Sequence, residues 1–423
     1  MCQIFFNVQN EKKEHLNKKI KNIAYVLAND AALGETFGIG DIPDTDVIFS
    51  KGIFEAEKFL FDNQPDLLII DRAFLEYNGV KFDRISRLYT GIKFIPVLYV
   101  GSKSDEEYVL LSHFKEIVTF EAGESDQMLS KAKEYLEPSV RVRFWGVRGS
   151  TPCANYENIQ FGGNTSCVEI DLPGVNELLI LDSGTGIRNL GNFLHRKNEY
   201  NFIGNIFITH PHWDHIQGFP FFKPLYSSDN KFTIYLPEQY RGGAQEILSG
   251  HLTKTFFPVT LDMLSAEMEY VTQGEDVTNF GEYTVEYMVA NHPTKTAMYK
   301  IKLHGLTIIY APDNELPMKS TPIRFIDNFK EFVKDCDLLI HDGQFSQKLY
   351  EQRVGWGHSA WERVVDVTKK CNVKNLVITH HDPDSDDDLL HKREEMLKQY
   401  EGDAFESVSL AKEGSEIRLP IKK

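Results

Sequence analysis

The chain has 423 residues, which exceeds the usual size of a single hydrophobic core and favours two domains. Its hydrophobic content of 42% and charged content of 26% are those of a globular protein rather than a disordered or membrane-spanning one. The formal net charge of −16 weighs against any partner held mainly through phosphate contacts, such as a long nucleic acid.

The sequence predicts a cytoplasmic protein. No apolar run reaches about 18 residues, and the start at Met1 has neither a basic region nor a long apolar region. The cysteines are odd in number and widely scattered, at positions 2, 153, 167, 336 and 371. We therefore expect reduced, mostly buried thiols rather than disulfides or a structural zinc ribbon.

Up to about residue 138, short apolar strands alternate with segments of helical period. The predicted strands are 3–8, 46–50, 66–71, 94–100 and 116–120, and the predicted helices are 11–28, 54–63, 81–90, 104–115 and 125–136. Five strand–helix units predict an α/β, doubly wound (βα)5 domain with a parallel sheet over residues 1–138.

This first segment resembles a response-regulator receiver domain. The run Pro65–Asp71 is similar to the third receiver strand with its phosphoacceptor aspartate, and Ile95–Val100 is similar to the fourth strand. The resemblance implies an acidic pair after the first strand, a hydroxyl residue after the fourth and a lysine after the fifth. The chain instead has Asn7–Asn10, Gly101 and Phe120–Ala122 at those places.

These departures bear on the function of Asp71. Without an acidic pair to hold Mg²⁺, phosphoryl transfer to Asp71 would lack charge neutralisation. We therefore expect a pseudo-receiver used for docking, dimerisation or regulation, with a phosphorylated switch as the alternative. Its expected partner is a second copy of the chain or a signalling protein, bound through residues 1–138.

A second domain is predicted over residues 139–423. Pro138 ends the last helical pattern, and from Val140 onward short strands alternate with glycine-rich turns such as Gly162–Ser166 and Leu181–Gly186. Neither turn matches a P-loop or a dinucleotide-binding fingerprint, so ordinary turn chemistry is the preferred interpretation and phosphate contact by residues 162–166 stays open.

The most informative motif is His210-Pro211-His212-Trp213-Asp214-His215, directly after the strand-like run 205–209. Residues two apart share one face of a strand, so His210 and His212 can bind one metal ion. Asp214 and His215 open the next element and can face a second ion. Imidazole and carboxylate donors suit Zn²⁺ and similar ions, so the motif predicts half of a two-metal site.

Three further candidate ligands each follow an apolar, strand-like run: His292, Asp313 and His380. Ligands at the ends of adjacent strands meet at one rim of a sheet. Together with the His210 motif, this series resembles the metallo-β-lactamase superfamily over residues 140–423. The resemblance implies an αββα sandwich with metal ions at the sheet edge.

The same resemblance implies a ligand set for two divalent ions, most simply zinc, with manganese or iron as alternatives. The first ion would be bound by His210, His212 and His292, the second by Asp214, His215 and His380, and Asp313 would bridge them. His381 could compete with His380, but neighbouring strand residues point to opposite faces, so we prefer His380. A metal-bridging hydroxide would be the nucleophile, which makes hydrolysis the predicted reaction and makes Asp214 a catalytic residue as well as a ligand.

A second motif favours phosphodiester substrates. Gly355-Trp356-Gly357-His358-Ser359 lies where the phosphodiesterase branch of that superfamily, which includes ribonuclease Z and cyclic-phosphate phosphodiesterases, has a Gly-His-Ser motif. The resemblance implies that His358 is the acid for the leaving group and that Asp342 orients it, although ribonuclease Z has a longer glutamate there. The alternatives are a histidine that caps the next helix and a turn aspartate. An alkoxide leaves readily only when it is protonated or metal-bound.

The expected substrate is a small cyclic nucleotide or cyclic phosphate rather than tRNA. Ribonuclease Z recruits tRNA with a basic arm inserted after the first motif, whereas residues 216–291 contain four Lys/Arg and ten Asp/Glu. Two other functions remain open on the same metal site. One is hydrolysis of a lactone, thioester or ester, and the other is a di-iron redox or oxygen sensor that signals through the receiver-like domain.

Overall fold

The computed structural model describes residues 22–28, 38–62, 65–79, 94–102, 104, 117–121, 123–173, 175, 177–196, 201–240, 242–274, 276–317 and 323–422. The chain divides into two compact units. The first is Met1–Ser139 with short additions at Leu172–Asn176 and Arg196–Asn198, and the second is the remainder.

The described residues of the first unit contain a five-stranded parallel sheet. Its strands are β1 (Asn22–Leu27), β2 (Thr45–Ser50), β3 (Leu67–Asp71), β4 (Val97–Val100) and β5 (Ile117–Phe120), in the spatial order β2-β1-β3-β4-β5. The central strand β3 has four consecutive buried residues, as a parallel strand covered on both faces requires.

Helices pack on both faces of this sheet. They are α1 (Ile53–Asp62), α2 (Arg72–Asn78) and α3 (Ser125–Leu136). Ala56 and Leu60 of α1 pack in one apolar cluster with Tyr25, and Met128 and Ala132 of α3 pack in another with Val26 and Leu98. Neighbouring residues of β1 thus enter opposite cores, which is the alternation that a strand imposes.

The predicted helix over 11–28 is wrong for residues 22–27, which form β1. These residues read Asn-Ile-Ala-Tyr-Val-Leu, and a short apolar run of this kind fits a buried strand as well as a helix. The prediction also missed α2, whereas the helices at 54–63 and 125–136 and the strands at 46–50, 66–71, 94–100 and 116–120 are confirmed to within three residues. The predicted strand 3–8, the helix 81–90 and nearly all of the helix 104–115 lie outside the described residues.

The strand assignment changes the comparison with receiver domains. Because β1 is Asn22–Leu27, the residues that follow it are Ala28-Asn29-Asp30 rather than Asn7–Asn10, and positions 29 and 30 lie outside the described residues. Asp71 ends β3 and its carboxylate accepts a hydrogen bond from the Ala73 amide at 3.1 Å, as the N-cap of α2. The structure therefore supports a parallel α/β sheet but not the finer receiver assignment.

Two seven-stranded sheets form the framework of the second unit in the described residues. In chain order the strands are β6 (Ser139–Gly146), β7 (Cys167–Asp171), β8 (Leu178–Leu181), β9 (Ile203–Phe207), β10 (Lys231–Pro237), β11 (Glu267–Gln273), β12 (Thr278–Asn279), β13 (Tyr283–Val289), β14 (Ala297–Leu303), β15 (Leu306–Ala311), β16 (Leu338–Asp342), β17 (Asn375–Thr379), β18 (Ser407–Leu410) and β19 (Glu416–Pro420). The spatial orders are β11-β10-β9-β8-β7-β6-β19 and β12-β13-β14-β15-β16-β17-β18. Strands β8–β11 are parallel to one another, and so are β15–β18.

The two sheets face each other and helices cover their outer faces. Ring contacts such as Phe207–Tyr299, with centroids 5.4 Å apart, join the inner faces. The helices are α4 (Ile187–Arg196), α5 (Trp213–Ile216), α6 (Ala244–His251), α7 (Ile323–Val333), α8 (Gln347–Tyr350), α9 (Trp361–Thr368) and α10 (Asp387–Leu397). Helix α6 packs on β10 and β11, whereas α9 and α10 pack on β16 and β18. This arrangement is an αββα sandwich, as the resemblance to the metallo-β-lactamase superfamily implied.

In the second unit, a buried ion-pair network joins the neighbouring strands β7, β6 and β19. The Arg143 guanidinium lies 2.6 Å from Glu416, 3.2 Å from Asp171 and 3.6 Å from Glu169. The arginine side chain is only 8% exposed, so its charge depends on these carboxylates rather than on water. The network therefore connects the first long strand, β6, with the last, β19.

Candidate metal centre

The His210 motif forms a turn and a single helical turn directly after β9. The strand ends at Phe207, His212 is the N-cap of α5, and Asp214 and His215 lie within α5. His210 and His212 thus converge from a turn rather than from one face of a strand, with ring centroids 4.3 Å apart. The two histidines converge as predicted, but they lie in a turn and not on one face of a strand.

Four donor groups surround the first point of convergence: those of His210, His212, His292 and Asp313. His212 Nδ1 lies 2.8 Å from His210 Nε2 and 3.2 Å from His292 Nε2. Asp313 Oδ2 lies 3.8 and 3.9 Å from the Nε2 atoms of His210 and His292. His292 and Asp313 follow β13 and β15, so distant segments supply this group.

The second group comprises Asp214, His215 and His380. Asp214 Oδ2 lies 3.1 Å from His380 Nε2 and 3.4 Å from His215 Nε2. The other carboxylate oxygen of Asp313, Oδ1, lies 3.0 Å from His215 Nε2 and 3.2 Å from His380 Nε2. Asp313 therefore presents one oxygen to each group, which is the arrangement expected of a bridging ligand.

The donor set fits divalent cations. Imidazole nitrogens face one another at 2.8–3.3 Å across both groups, which is a poor arrangement for histidines alone but a good one around a shared cation. Asp313 Oδ1 is buried and accepts no well-aligned hydrogen bond from the described residues. A buried oxygen without a well-aligned donor requires another partner, and a metal ion would be such a partner.

The pKa values of His210 and Asp313 are shifted toward the forms that bind a cation, whereas that of His215 is raised well above its usual value because the Asp313, Asp182 and Asp214 carboxylates outweigh its burial. Burial, together with the nearby His215, lowers the pKa of His210 well below its usual value. Burial would raise the pKa of Asp313, but His380 and His215 more than offset this, so the net shift is well below the usual value. Neutral imidazole and ionised carboxylate are the forms that bind metal ions.

The positions of His380 and His381 resolve the choice between them. His380 follows β17 with a φ of 62° and presents its Nε2 to the second group. His381 points away and its Nε2 donates to the Ala411 carbonyl at 2.8 Å. The structure thus brings His380, and not His381, into the cluster.

Asp182 is a functional residue that the sequence analysis missed. It follows β8, is fully buried, and its Oδ2 accepts hydrogen bonds from His215 Nδ1 at 2.8 Å and from the Tyr310 hydroxyl at 2.9 Å. The bond to Nδ1 directs His215 Nε2 at Asp214 and Asp313, which is how carboxylates orient metal-binding histidines. Its signal in the sequence is an aspartate directly after an apolar run, which the sequence alone does not distinguish from a turn residue.

His358 lies beside the cluster and is paired with Asp342. Its Nδ1 is 2.9 Å from Asp342 Oδ2, and its ring stacks on that of His380 with centroids 4.9 Å apart. Burial alone would lower the pKa of His358, but the Asp342 carboxylate raises it to about 9. The shorter aspartate therefore reaches the histidine, and the pair can hold a proton next to the cluster.

The turn that carries His358 is fixed by a buried carboxylate. Glu315 accepts hydrogen bonds from the amides of Gly355 and Gly357 at 3.0 Å and from the Tyr350 hydroxyl at 2.7 Å. The Gly357 carbonyl in turn faces His292 Nδ1 at 3.1 Å. A Cβ atom on Gly357 would lie 2.2 Å from that nitrogen, so only glycine permits this close approach.

Comparison with known proteins agrees with this geometry. A family model described as a β-lactamase superfamily domain matches residues 178–381, a stretch that contains every candidate ligand. The chain is 24% identical to a ribonuclease Z of Methanosarcina mazei over 335 residues, which are 67% of this chain and 99% of that protein. A ribonuclease Z of Haloarcula marismortui is 23% identical over 288 residues, covering 57% of this chain and 86% of that protein.

Solved structures with a similar fold include the metallo-β-lactamase fold protein YhfI from Bacillus subtilis, at 19% identity and a TM-score of 0.49. That match covers 66% of this chain and 99% of the other. The family model and the ribonuclease Z relatives indicate that the second unit has a metallo-β-lactamase fold, which implies divalent metal ions, and that the chain is a metal-dependent hydrolase. Within the described ranges, no helix is both long and apolar enough to cross a membrane.

Proposed function

We propose that this chain is a binuclear metal-dependent phosphodiesterase acting on a small cyclic nucleotide or cyclic phosphate. The observation that carries the proposal is the His358–Asp342 pair beside the ligand cluster. A phosphodiester needs a proton donor for its leaving alkoxide, whereas a β-lactam or thioester has less need of one. The ribonuclease Z relatives support phosphodiester chemistry of the same general kind.

The proposed ligand assignment follows the two groups of donors. The first ion would be held by His210, His212 and His292, the second by Asp214, His215 and His380, and Asp313 would contact both. Divalent ions bound there would lower the pKa of water and polarise the phosphoryl group, so no serine or cysteine nucleophile is needed. We propose zinc, since imidazole nitrogens dominate the set, with manganese or iron as the alternatives.

His358 is proposed to protonate the leaving group. As the oxygen of water bonds to phosphorus and loses one proton to solvent, the bond from phosphorus to the leaving oxygen breaks and that oxygen takes a proton from His358 Nε2. Nδ1 cannot serve because it is hydrogen-bonded to Asp342. Asp342 is fully buried and is held in turn by the Gln344 amide at 2.8 Å, so it fixes the orientation and tautomer of His358.

A small substrate is favoured over a large nucleic acid. The described part of segment 216–291 forms strands β10 to β13 and helix α6, and the segment carries ten acidic residues against four basic ones. An RNA-binding arm would need the opposite balance, because affinity for a phosphate backbone depends on Lys and Arg. The cluster itself can attract a small anion locally once cations occupy it.

The first unit is proposed to be a pseudo-receiver used for docking, dimerisation or regulation. The strand order β2-β1-β3-β4-β5 is that of doubly wound folds of the flavodoxin type, in which Asp71 ends the third strand. The Asp71 carboxylate is engaged as a helix cap, which supports a structural role rather than phosphorylation. A second copy of the chain or a signalling protein would be the partner.

A substrate screen tests the proposed function. The full-length, metal-loaded protein is assayed with cyclic nucleotides, a generic aryl phosphodiester, lactones and thioesters under one set of conditions. The expected result is turnover of phosphodiesters, abolished by a chelator and restored by the metal. Turnover of only the lactones or thioesters would contradict the proposal, and an iron-dependent oxo absorption band in the freshly purified protein would favour a di-iron sensor.

A further inference from the structure

Two of the four tryptophans of the chain are exposed: Trp213 lies within the ligand motif, and Trp356 lies two residues before His358. Trp213 is 75% exposed and Trp356 is 60% exposed, whereas Trp145 and Trp361 are 5% and 4% exposed. Tryptophan has a large apolar surface, so an exposed one at a ligand site points to a binding function more strongly than an exposed small residue does.

Both tryptophans are attached to residues that are proposed ligands or contact one. Of the proposed ligands, His212 is exposed and His292 is partly exposed, while the other five are buried. Trp213 directly follows His212, and Trp356 directly precedes Gly357, whose carbonyl faces His292 Nδ1. Trp213 therefore adjoins the exposed ligand His212, and Trp356 adjoins the glycine that contacts His292, whose side chain is 2% exposed.

Local contacts fix the segments that carry both tryptophans. Trp213 is the first residue of α5, and the next three residues of this short helix are buried, so it is the member that faces solvent. Trp356 lies between Gly355 and Gly357, whose amides are bound by Glu315. The Arg353 guanidinium lies 5.4 Å from the Trp356 ring centroid and 2.7 Å from Asp382, which restrains the ring further.

We propose that Trp213 and Trp356 form a stacking subsite for the nucleobase of the substrate. This inference rests on the proposed phosphodiesterase function and narrows its substrate to phosphodiesters that carry a base, rather than base-free cyclic phosphates. Stacking on an aromatic side chain strengthens binding by about fivefold to 100-fold per base and tolerates any base. It needs no positive charge, which agrees with the acidic composition of the chain.

Tryptophan fluorescence of the full-length, metal-loaded protein tests the subsite without turnover. Adenosine 5′-monophosphate is titrated against ribose 5-phosphate, which has the phosphate but no base. The expected result is saturable quenching by the nucleotide alone, reduced in both Trp213→Leu and Trp356→Leu. Equal effects of the two phosphates, or quenching that survives both substitutions, would overturn the proposal.

A matched pair of substrates gives a kinetic readout. Adenosine 2′,3′-cyclic phosphate and glycerol 1,2-cyclic phosphate share a five-membered cyclic phosphodiester, and only the first has a base. Trp213→Leu is expected to lower the ratio of their kcat/KM values by about tenfold. Trp213→Phe should keep most of the ratio, because phenylalanine can still stack. The control Tyr77→Leu, an exposed aromatic residue of the first unit, should not change it.

The possible outcomes distinguish a failure of the stacking subsite from a failure of the proposed phosphodiesterase function. If Trp213→Leu lowers both kcat/KM values equally, or reduces the bound metal, Trp213 has a structural role and the subsite is wrong. If neither cyclic phosphate is hydrolysed while lactones or thioesters are, the proposed function is wrong. The fluorescence titration still decides in that case whether the two rings bind a base.

Discussion

The ligand cluster of the second unit and the corresponding edge of the sheet in the first unit are built alike but carry different chemistry. At both, polar residues follow the carboxyl ends of parallel strands. In the second unit, the ends of β8, β9, β15, β16 and β17 lead to buried His and Asp residues that converge. In the first, Asp71 ends β3 and binds a backbone amide, and Gly101 follows β4. A sheet edge supplies a place for a site, and the residues there decide whether one exists.

Replacing Asp313, whose carboxylate faces both donor groups, should cause the largest change in bound metal and hydrolysis. Asp313→Asn replaces one of the two oxygens that face the donor groups with an amide nitrogen and removes the negative charge, so bound metal and hydrolysis should both fall. The loss of activity should exceed the roughly 10–100-fold typical of residues that only orient a ligand. Elemental analysis and turnover are measured together, with Asp71→Asn as the control. Equal metal content in Asp313→Asn and the wild type would contradict the ligand assignment.

Removing the proposed acid should separate chemistry from metal binding. His358→Ala should lower kcat by about 100-fold to 10,000-fold, the usual contribution of a proton donor, while the bound metal stays constant. His391→Ala, which changes a histidine of α10 that bonds to Gln160, serves as the control. Unchanged turnover in His358→Ala would show that the histidine has only a structural role.

Changing the carboxylate behind His215 should have an intermediate effect. Asp182→Asn weakens the bond to Nδ1 and should reduce metal affinity by about 10–100-fold. Tyr310→Phe removes only one of the hydrogen bonds to Asp182 and should have a smaller effect. Competition titration with a chromophoric chelator measures both, and an affinity loss in Tyr310→Phe as large as in Asp182→Asn would argue against the orienting role.

The free energy of unfolding of the second unit should depend more on its buried ion pairs than on its exposed ones. Arg143→Met removes the cation that faces Glu169 and one of the two that face Glu416, the other being Arg418, and should destabilise the second unit by about 3 kcal/mol. The matched change Lys231→Met breaks an exposed pair with Glu267 and should cause no resolvable change. Urea unfolding measures the stability of both variants. Similar unfolding midpoints would contradict the prediction that only the buried network matters.

The smallest expected effect is in the first unit. Asp71→Ala removes the N-cap of α2 and should destabilise that unit by about 1 kcal/mol, measured by its own unfolding transition. Hydrolysis by the second unit should not change. If acetyl phosphate labels the wild type but not Asp71→Ala, the aspartate is a phosphoacceptor and the pseudo-receiver interpretation is wrong.

The sequence predicted the residues of the cluster because its signal is local and chemically unusual. Four potential ligands within six residues, followed by histidines and an aspartate at the ends of apolar runs, leave few interpretations. The choice of His380 over His381 also agrees with the structure, because the two side chains do point in different directions. The αββα architecture came from the resemblance and not from periodicity.

The features that sequence reasoning missed depend on distant contacts. Asp182 looks like a turn residue until folding brings it to His215, 33 positions further along the chain. The strand β1 was assigned to a helix because its apolar run is short, and only the neighbouring strands β2 and β3 determine its conformation. Glu315 likewise gains its function from contacts with a turn that starts 40 residues later.

The dependence of the His358→Ala effect on the leaving group tests the central claim most directly. The variant and the wild type are compared on a cyclic nucleotide, whose alkoxide needs a proton, and on bis(p-nitrophenyl) phosphate, whose phenolate leaves without one. The account predicts a loss of about 100-fold or more on the first substrate and only a small loss on the second, at equal metal content. Equal losses on both substrates would contradict it, because a residue that only supports the site would not distinguish the leaving groups.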